Sequence, residues 1–117
     1  MENFNIAEFN SPDKKGSGKH MDKTFLSMID EARSIAGVPF KITSGYRTKS
    51  HNKKVGGVAN SSHLKGLACD IRCVDSRHRY LIINALRDVG FTRIGIAKTF
   101  IHCDCDTEKS QNVYWIY

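Results

Sequence analysis

The chain has 117 residues, of which 40% are hydrophobic and 26% charged, the balance of one ordinary globular domain spanning residues 1–117. No apolar run approaches the roughly 20 residues that a spanning helix needs, so membrane insertion is not expected. A formal charge of +6 points instead to an anionic partner such as nucleic acid or bacterial cell wall, although the basic residues are spread along the chain.

The opening segment, MENFNIAEFNSPDKK, lacks a basic start followed by an apolar core, so synthesis in the cytoplasm without a secretory signal is expected. Residues 1–21 are polar and broken by Pro12, Gly16 and Gly18, and read as an extended arm whose Phe4, Ile6 and Phe9 dock on the core. Asp22 then caps a helix. Phe25, Met28, Ile29, Ala32 and Ile35 recur on it at helical spacing, and Gly37 and Pro39 stop it. The stretch PFKITSGYR predicts a short strand at Ile42 and Thr43 that runs into a loop, and Thr48–Val55 a short polar helix. Ala68–Val74 predicts a strand. Asp75 or Ser76 caps a second long helix whose buried stripe is Leu81 or Ile82, Ala85, Leu86 and Val89. Three β-prone runs follow, at Phe91–Ile96, Phe100–Cys105 and Val113–Tyr117. Their links are too short for parallel crossovers, so the fold class expected is α+β with two main helices and a largely antiparallel sheet.

The stretch SSHLKGLACD places His63 and Asp70 seven positions apart around Gly66. Two metal ligands could come from there if the glycine lets the chain turn, and a third from another element. In TFIHCDCD, strand alternation puts His102, Asp104 and Asp106 on one face and Ile101, Cys103 and Cys105 on the other. Likewise Asp70 and Arg72 face away from Cys69, Ile71 and Cys73. Both strands thus turn cysteines to the apolar side and metal-competent groups to the other, which weakens a cysteine zinc site and leaves the thiols reduced and packed. Spacing by itself leaves open a loop histidine and a bracing aspartate with no metal at all.

Ser61-x-His63-x-x-Gly66-x-Ala68-x-Asp70 resembles the SxHxxGxAxD signature of zinc peptidases with the hedgehog/D-Ala-D-Ala-peptidase fold, which include D-Ala-D-Ala carboxypeptidases and L-alanyl-D-glutamate endopeptidases. SGYR, from Ser44 to Arg47, and FIHCD, from Phe100 to Asp104, stand in the order that family has. The likeness runs from about Phe25 to the C-terminus and is greatest to the short peptidase domains of phage endolysins. It implies one zinc per chain held by His63, Asp70 and His102, and hydrolysis of peptides of bacterial peptidoglycan after release from the cell of synthesis. Arg47 resembles the family arginine that steadies the carbonyl oxygen or a substrate carboxylate, and Ser61 would bind substrate or brace the ligand loop. Tyr46 is expected to pack beside the site.

The chain departs from the family pattern just before the last zinc histidine, where an acidic general base is usual. Ala97, Lys98 and Thr99 stand there, and none takes a proton from water at neutral pH. Asp104 is the substitute that strand alternation offers, either as base or as a brace for His102. The missing acid keeps alive an alternative, a non-catalytic zinc-containing module of the same fold that binds cell wall. A nucleic-acid-binding domain rests on net charge alone, because no basic recognition helix or aromatic-basic interleaving is present. His20, His51 and His78 read as surface residues, Trp115 as a core, edge-strand or groove residue, and the protein as a monomer.

Overall fold

The computed structural model describes residues 1–117. Three helices, α1 (Lys23–Ala36), α2 (Lys49–Lys54) and α3 (Ser76–Asp88), accompany five strands, β1 (Ile42–Ser44), β2 (Ala68–Arg72), β3 (Arg93–Ile96), β4 (Phe100–Asp104) and β5 (Val113–Ile116). The strands form one sheet in the order β1-β2-β4-β3-β5. The fold is α+β, and every pairing is antiparallel except that of β3 with β5.

Local chemistry explains the helix ends. Asp22 accepts a hydrogen bond from the Phe25 N–H and starts α1, while Gly37, in the left-handed region at φ 69°, ends it. Asp75 accepts from the Arg77 N–H and starts α3. The apolar faces of both helices meet the sheet in one core that includes Phe25, Ile29, Ile82 and Leu86 with Ile71, Ile94 and Ile101. Cys69, Cys73 and Cys103 are buried in the same core, and Cys105 packs at its edge. Burial pushes the Cys103 thiol well up, and the Cys105 thiol to about 11, so neither offers an appreciable thiolate near neutral pH. No helix is long and apolar enough to cross a membrane.

Four local expectations are revised. Residues 1–21 are not extended. A capping box at Asn5 closes a 3-10 turn at Ile6–Phe9, and Gly16, in the left-handed region, starts a second at Ser17–His20. This curl brings Phe4 and Phe9 into the core and leaves Ile6 at the surface. Ile35 is also exposed, because α1 buries Ala36 one residue later on a face that either spacing would satisfy. The strand that was expected to reach Val74 stops at Arg72. The parallel pairing of β3 and β5 arises without a crossover helix, since β4 itself carries the chain back and the 105–112 loop rounds the end of β3.

Candidate metal centre

The sheet has two faces with different chemistry. Cys69, Ile71, Ile94, Ile101 and Cys103 point into the core, while Asp70 and His102, directly paired across β2 and β4, point out of the other face. His63 reaches the same place from a 3-10 turn at Ser62–Lys65 that immediately precedes β2. Ser61 caps this turn by accepting from the His63 N–H at 3.3 Å. Gly66 ends it in the left-handed region at φ 70°, and a Cβ there would run into the His20 carbonyl oxygen. Ala68 follows across from Asp104, and Asp70 comes two residues later on the same face. Each fixed position of the 61–70 motif therefore has a geometric task.

One nitrogen of each imidazole and one carboxylate oxygen converge. The three ligand atoms of His63, Asp70 and His102 lie within 4.8 Å of one another. His102 Nδ1 is 2.9 Å from Asp70 Oδ1, and His63 Nε2 is 3.4 Å from the same oxygen. The remote nitrogens are held by other groups. His63 Nδ1 donates to the Gly45 carbonyl at 2.8 Å, which leaves Nε2 with the lone pair. His102 Nε2 donates to Asp104 Oδ2 at 2.7 Å, which turns Nδ1 toward the centre. Two imidazoles and a carboxylate, each oriented from behind, make a donor set suited to zinc with a position left for a further ligand.

The field at the centre is strong. Burial favours the neutral Asp70 carboxyl, but the hydrogen bond from His102 and the closeness of the His63 imidazole outweigh it and hold the group well below the usual carboxylate range. Burial likewise opposes charge on His102, yet the Asp104 and Asp70 carboxylates prevail and raise its pKa. Asp104 is fully buried. Besides His102, it accepts from Arg93 Nε at 2.7 Å and from the Asp106 N–H at 3.1 Å, so both of its oxygens are engaged.

Arg47 approaches the other oxygen of Asp70. Its Nε donates to Ser44 Oγ at 3.0 Å and its Nη1 to Asn52 Oδ1 at 3.2 Å, while Nη2 lies 3.5 Å from Asp70 Oδ2. The guanidinium is thereby fixed at the edge of a cleft of about 410 Å³, enough for a short peptide segment. Ser61, His63, Asp70 and His102 line the same cleft together with Val55, Val58, Phe100, Trp115 and Tyr117. Tyr46 is half-buried and stacks on His20 with ring centroids 5.0 Å apart. His51 and His78 lie outside the centre, His78 being 3.6 Å from Asp75.

Several residues of the site were not identified from the sequence. Asp106 is one. Its buried carboxylate accepts from Ser62 Oγ at 2.7 Å and from Lys65 Nζ at 3.0 Å, tying the His63 turn to the segment after β4. Burial raises the Asp106 pKa, but these hydrogen bonds prevail and lower it. A carboxylate depressed in the folded state adds stability above its unfolded pKa, and that contribution is lost as pH falls through the lower folded value. Wild type is therefore expected to lose stability below about pH 4. Asp106→Asn is expected to be about 1–3 kcal/mol less stable at neutral pH and to show a shallower acid decline, measured by thermal melts across pH. Identical melts for both proteins at neutral pH would contradict this role. Gly45 lies within SGYR, yet that motif does not say that its backbone carbonyl meets His63, and the side chain of Arg93 carries no sequence signal that would have singled it out.

The α+β fold thus carries a His/Asp/His group able to hold a metal ion in an arginine-edged cleft. The Peptidase M15 family model matches residues 2–104, and the chain belongs to that family, whose peptidases are zinc-dependent. No curated protein matches the chain.

Proposed function

We propose that this protein hydrolyses peptide bonds in the stem or cross-link peptides of bacterial peptidoglycan, with one zinc held by His63, Asp70 and His102, and that it acts in phage-type lysis of the cell wall. The observation that carries the reading is the convergence of those three ligand atoms within 4.8 Å beside a fixed guanidinium, in a chain of the Peptidase M15 family. Zinc bound there supplies Lewis acidity towards a water and a carbonyl oxygen. Everything else falls to the chain. Gly45 and Asp104 orient the two imidazoles from behind. Arg47, held by Ser44 and Asn52, presents Nη2 to a carbonyl oxygen or a substrate carboxylate without having to reorganise. Ser61 keeps its oxygen on the His63 N–H and braces the ligand turn at the edge of the cleft.

Asp104 acts as the brace of His102 in this proposal. It touches the imidazole nitrogen remote from Asp70, so the ring stands between its carboxylate and the centre, and its other oxygen is taken by Arg93 and the Asp106 N–H. That placement also supports a second reading, a cell-wall-binding module with a structural zinc, since the only carboxylates lining the cleft are Asp70 and Asp104. Digestion of purified peptidoglycan, with the new termini identified by mass spectrometry, separates the two. Released peptides support the peptidase and assign the bond. Intact wall with retained zinc and tight attachment supports the module.

Attachment to the wall draws on the charge of +6. Sedimentation with purified wall is expected to weaken markedly between 0.1 M and 1 M salt, as the Debye length falls from about 10 Å to about 3 Å. Attachment that ignores salt, or equal affinity for duplex DNA, speaks against a wall-directed charge.

A further inference from the structure

One row of side chains crosses the site face of the sheet. Asp70 on β2 pairs with His102 on β4, His102 with Gly95 on β3, and Gly95 with Trp115 on β5. The third place in the row is a gap, and the aromatic rings of β5 fill it. A Cβ on Gly95 would lie 2.6 Å from Trp115 Cε2 and 2.8 Å from Tyr117 Cε2, distances that real side chains do not tolerate. Because nothing stands at position 95, Trp115 leans across β3 until its ring centroid is 5.4 Å from that of His102. The Arg93 guanidinium lies 4.9 Å from the same indole centroid, and Tyr117 continues the surface to Phe100, with ring centroids 5.0 Å apart. Tyr117 remains 64% exposed although both it and Trp115 line the cleft. A core aromatic would be covered. These rings are held in place and left open beside a metal ligand, and β5 lies beyond the matched residues 2–104.

We infer that Trp115 and Tyr117 form the substrate-binding wall of the cleft, receiving the aliphatic side chain and peptide plane next to the scissile bond, and that Gly95 is the positioning residue that admits them. This rests on the peptidase reading of the same centre. Trp115 meets the centre at His102 and Arg47 meets it at Asp70, so a bound peptide has an apolar flank against the rings and an anionic or carbonyl oxygen at the guanidinium. Substrates with a bulky or charged side chain at that place are disfavoured by the fixed rings.

Trp115 is the sole tryptophan of the chain, so its emission reports on the wall directly. The test uses the full zinc-loaded chain, with zinc alone and a soluble peptidoglycan stem pentapeptide as probes. The pentapeptide is expected to change wild-type emission. Tyr117→Ala should raise its half-saturation and the KM for cleavage about three- to tenfold, as expected for loss of an aromatic contact, with zinc affinity unchanged within about twofold. Gly95→Ala should displace the indole, alter emission before any peptide is added, and raise KM at least as much. If Gly95→Ala does not fold, Trp115→Leu, read by KM and zinc affinity, takes its place beside Tyr117→Ala. Wild-type emission that ignores the peptide, an unchanged KM in both variants, or equal losses of zinc and peptide affinity overturns the inference. A wild type that cleaves peptidoglycan while the variants keep its KM refutes the wall and leaves the peptidase. Peptide-dependent emission without any cleavage refutes the peptidase and leaves a peptide-binding wall.

Discussion

His63→Ala and His102→Ala are each expected to reduce zinc from one per chain to almost none, and peptidase activity with it. Removing a ligand that converges on the centre should cost more than the roughly 10- to 100-fold in affinity that loss of an outer partner costs. The two variants should differ in stability. His63 takes only the Gly45 carbonyl and the edge of Asp70 with it. His102→Ala strips Asp70 Oδ1 and the buried Asp104 Oδ2 of their nearest partner, although Arg93 and the Asp106 N–H still hold Asp104 Oδ1, and a buried acceptor so stranded costs about 1–3 kcal/mol. His102→Ala should therefore melt lower, and its fold is checked by circular dichroism before metal is counted. Cys103→Ser is the control, because that thiol is fully buried on the core face with Cys69 Sγ 3.8 Å away. It should keep its zinc. Metal retained in both histidine variants and lost from the cysteine variant would place the site on the wrong face of the sheet.

Asp104→Asn is expected to weaken zinc affinity by about 10- to 100-fold and to recover turnover when excess zinc is supplied. An amide can meet His102 Nε2–H or Arg93 Nε–H with its single oxygen, but not both as a carboxylate does. The imidazole then loses part of the constraint that turns Nδ1 to the centre. Were Asp104 instead the acceptor of the proton from water, zinc affinity would hold and turnover would fall by about 10² to 10⁴, with no rescue by metal. Metal titration and initial rates on one variant separate the two roles. An Asn variant with full activity and unaltered zinc affinity excludes both.

The separation between these roles was out of reach of strand periodicity. Alternation correctly groups His102 and Asp104 on the face opposite Ile101 and Cys103, because successive side chains on a strand must point to opposite sides, while Asp106 lies past the end of β4. It says nothing about which imidazole nitrogen a neighbour touches. That depends on the side-chain torsions, and these are set by Arg93 from β3 and by the Asp106 N–H. At Asp106, beyond β4, alternation no longer applies, and its partners Ser62 and Lys65 lie more than 40 residues away in the chain. The fold divides similarly. Caps at Asp22 and Asp75 and the left-handed Gly37 act within one turn and are legible as letters. The pairing of β3 with β5 is not, because it depends on where the 105–112 loop lays the last strand after β4 has reversed the chain.

Local chemistry therefore accounts for the helix ends, the two faces of β2 and β4, and the turn that Ser61 and Gly66 build around His63, each governed by backbone geometry over a few residues and legible in the letters. Which remote groups complete the centre follows only from long-range packing. Only the folded sheet brings the Gly45 carbonyl behind His63, the Arg93 guanidinium onto Asp104, and Trp115 and Tyr117 into the gap at Gly95. These contacts join segments that no spacing rule relates, and packing of the whole sheet against α1 and α3 sets their distances.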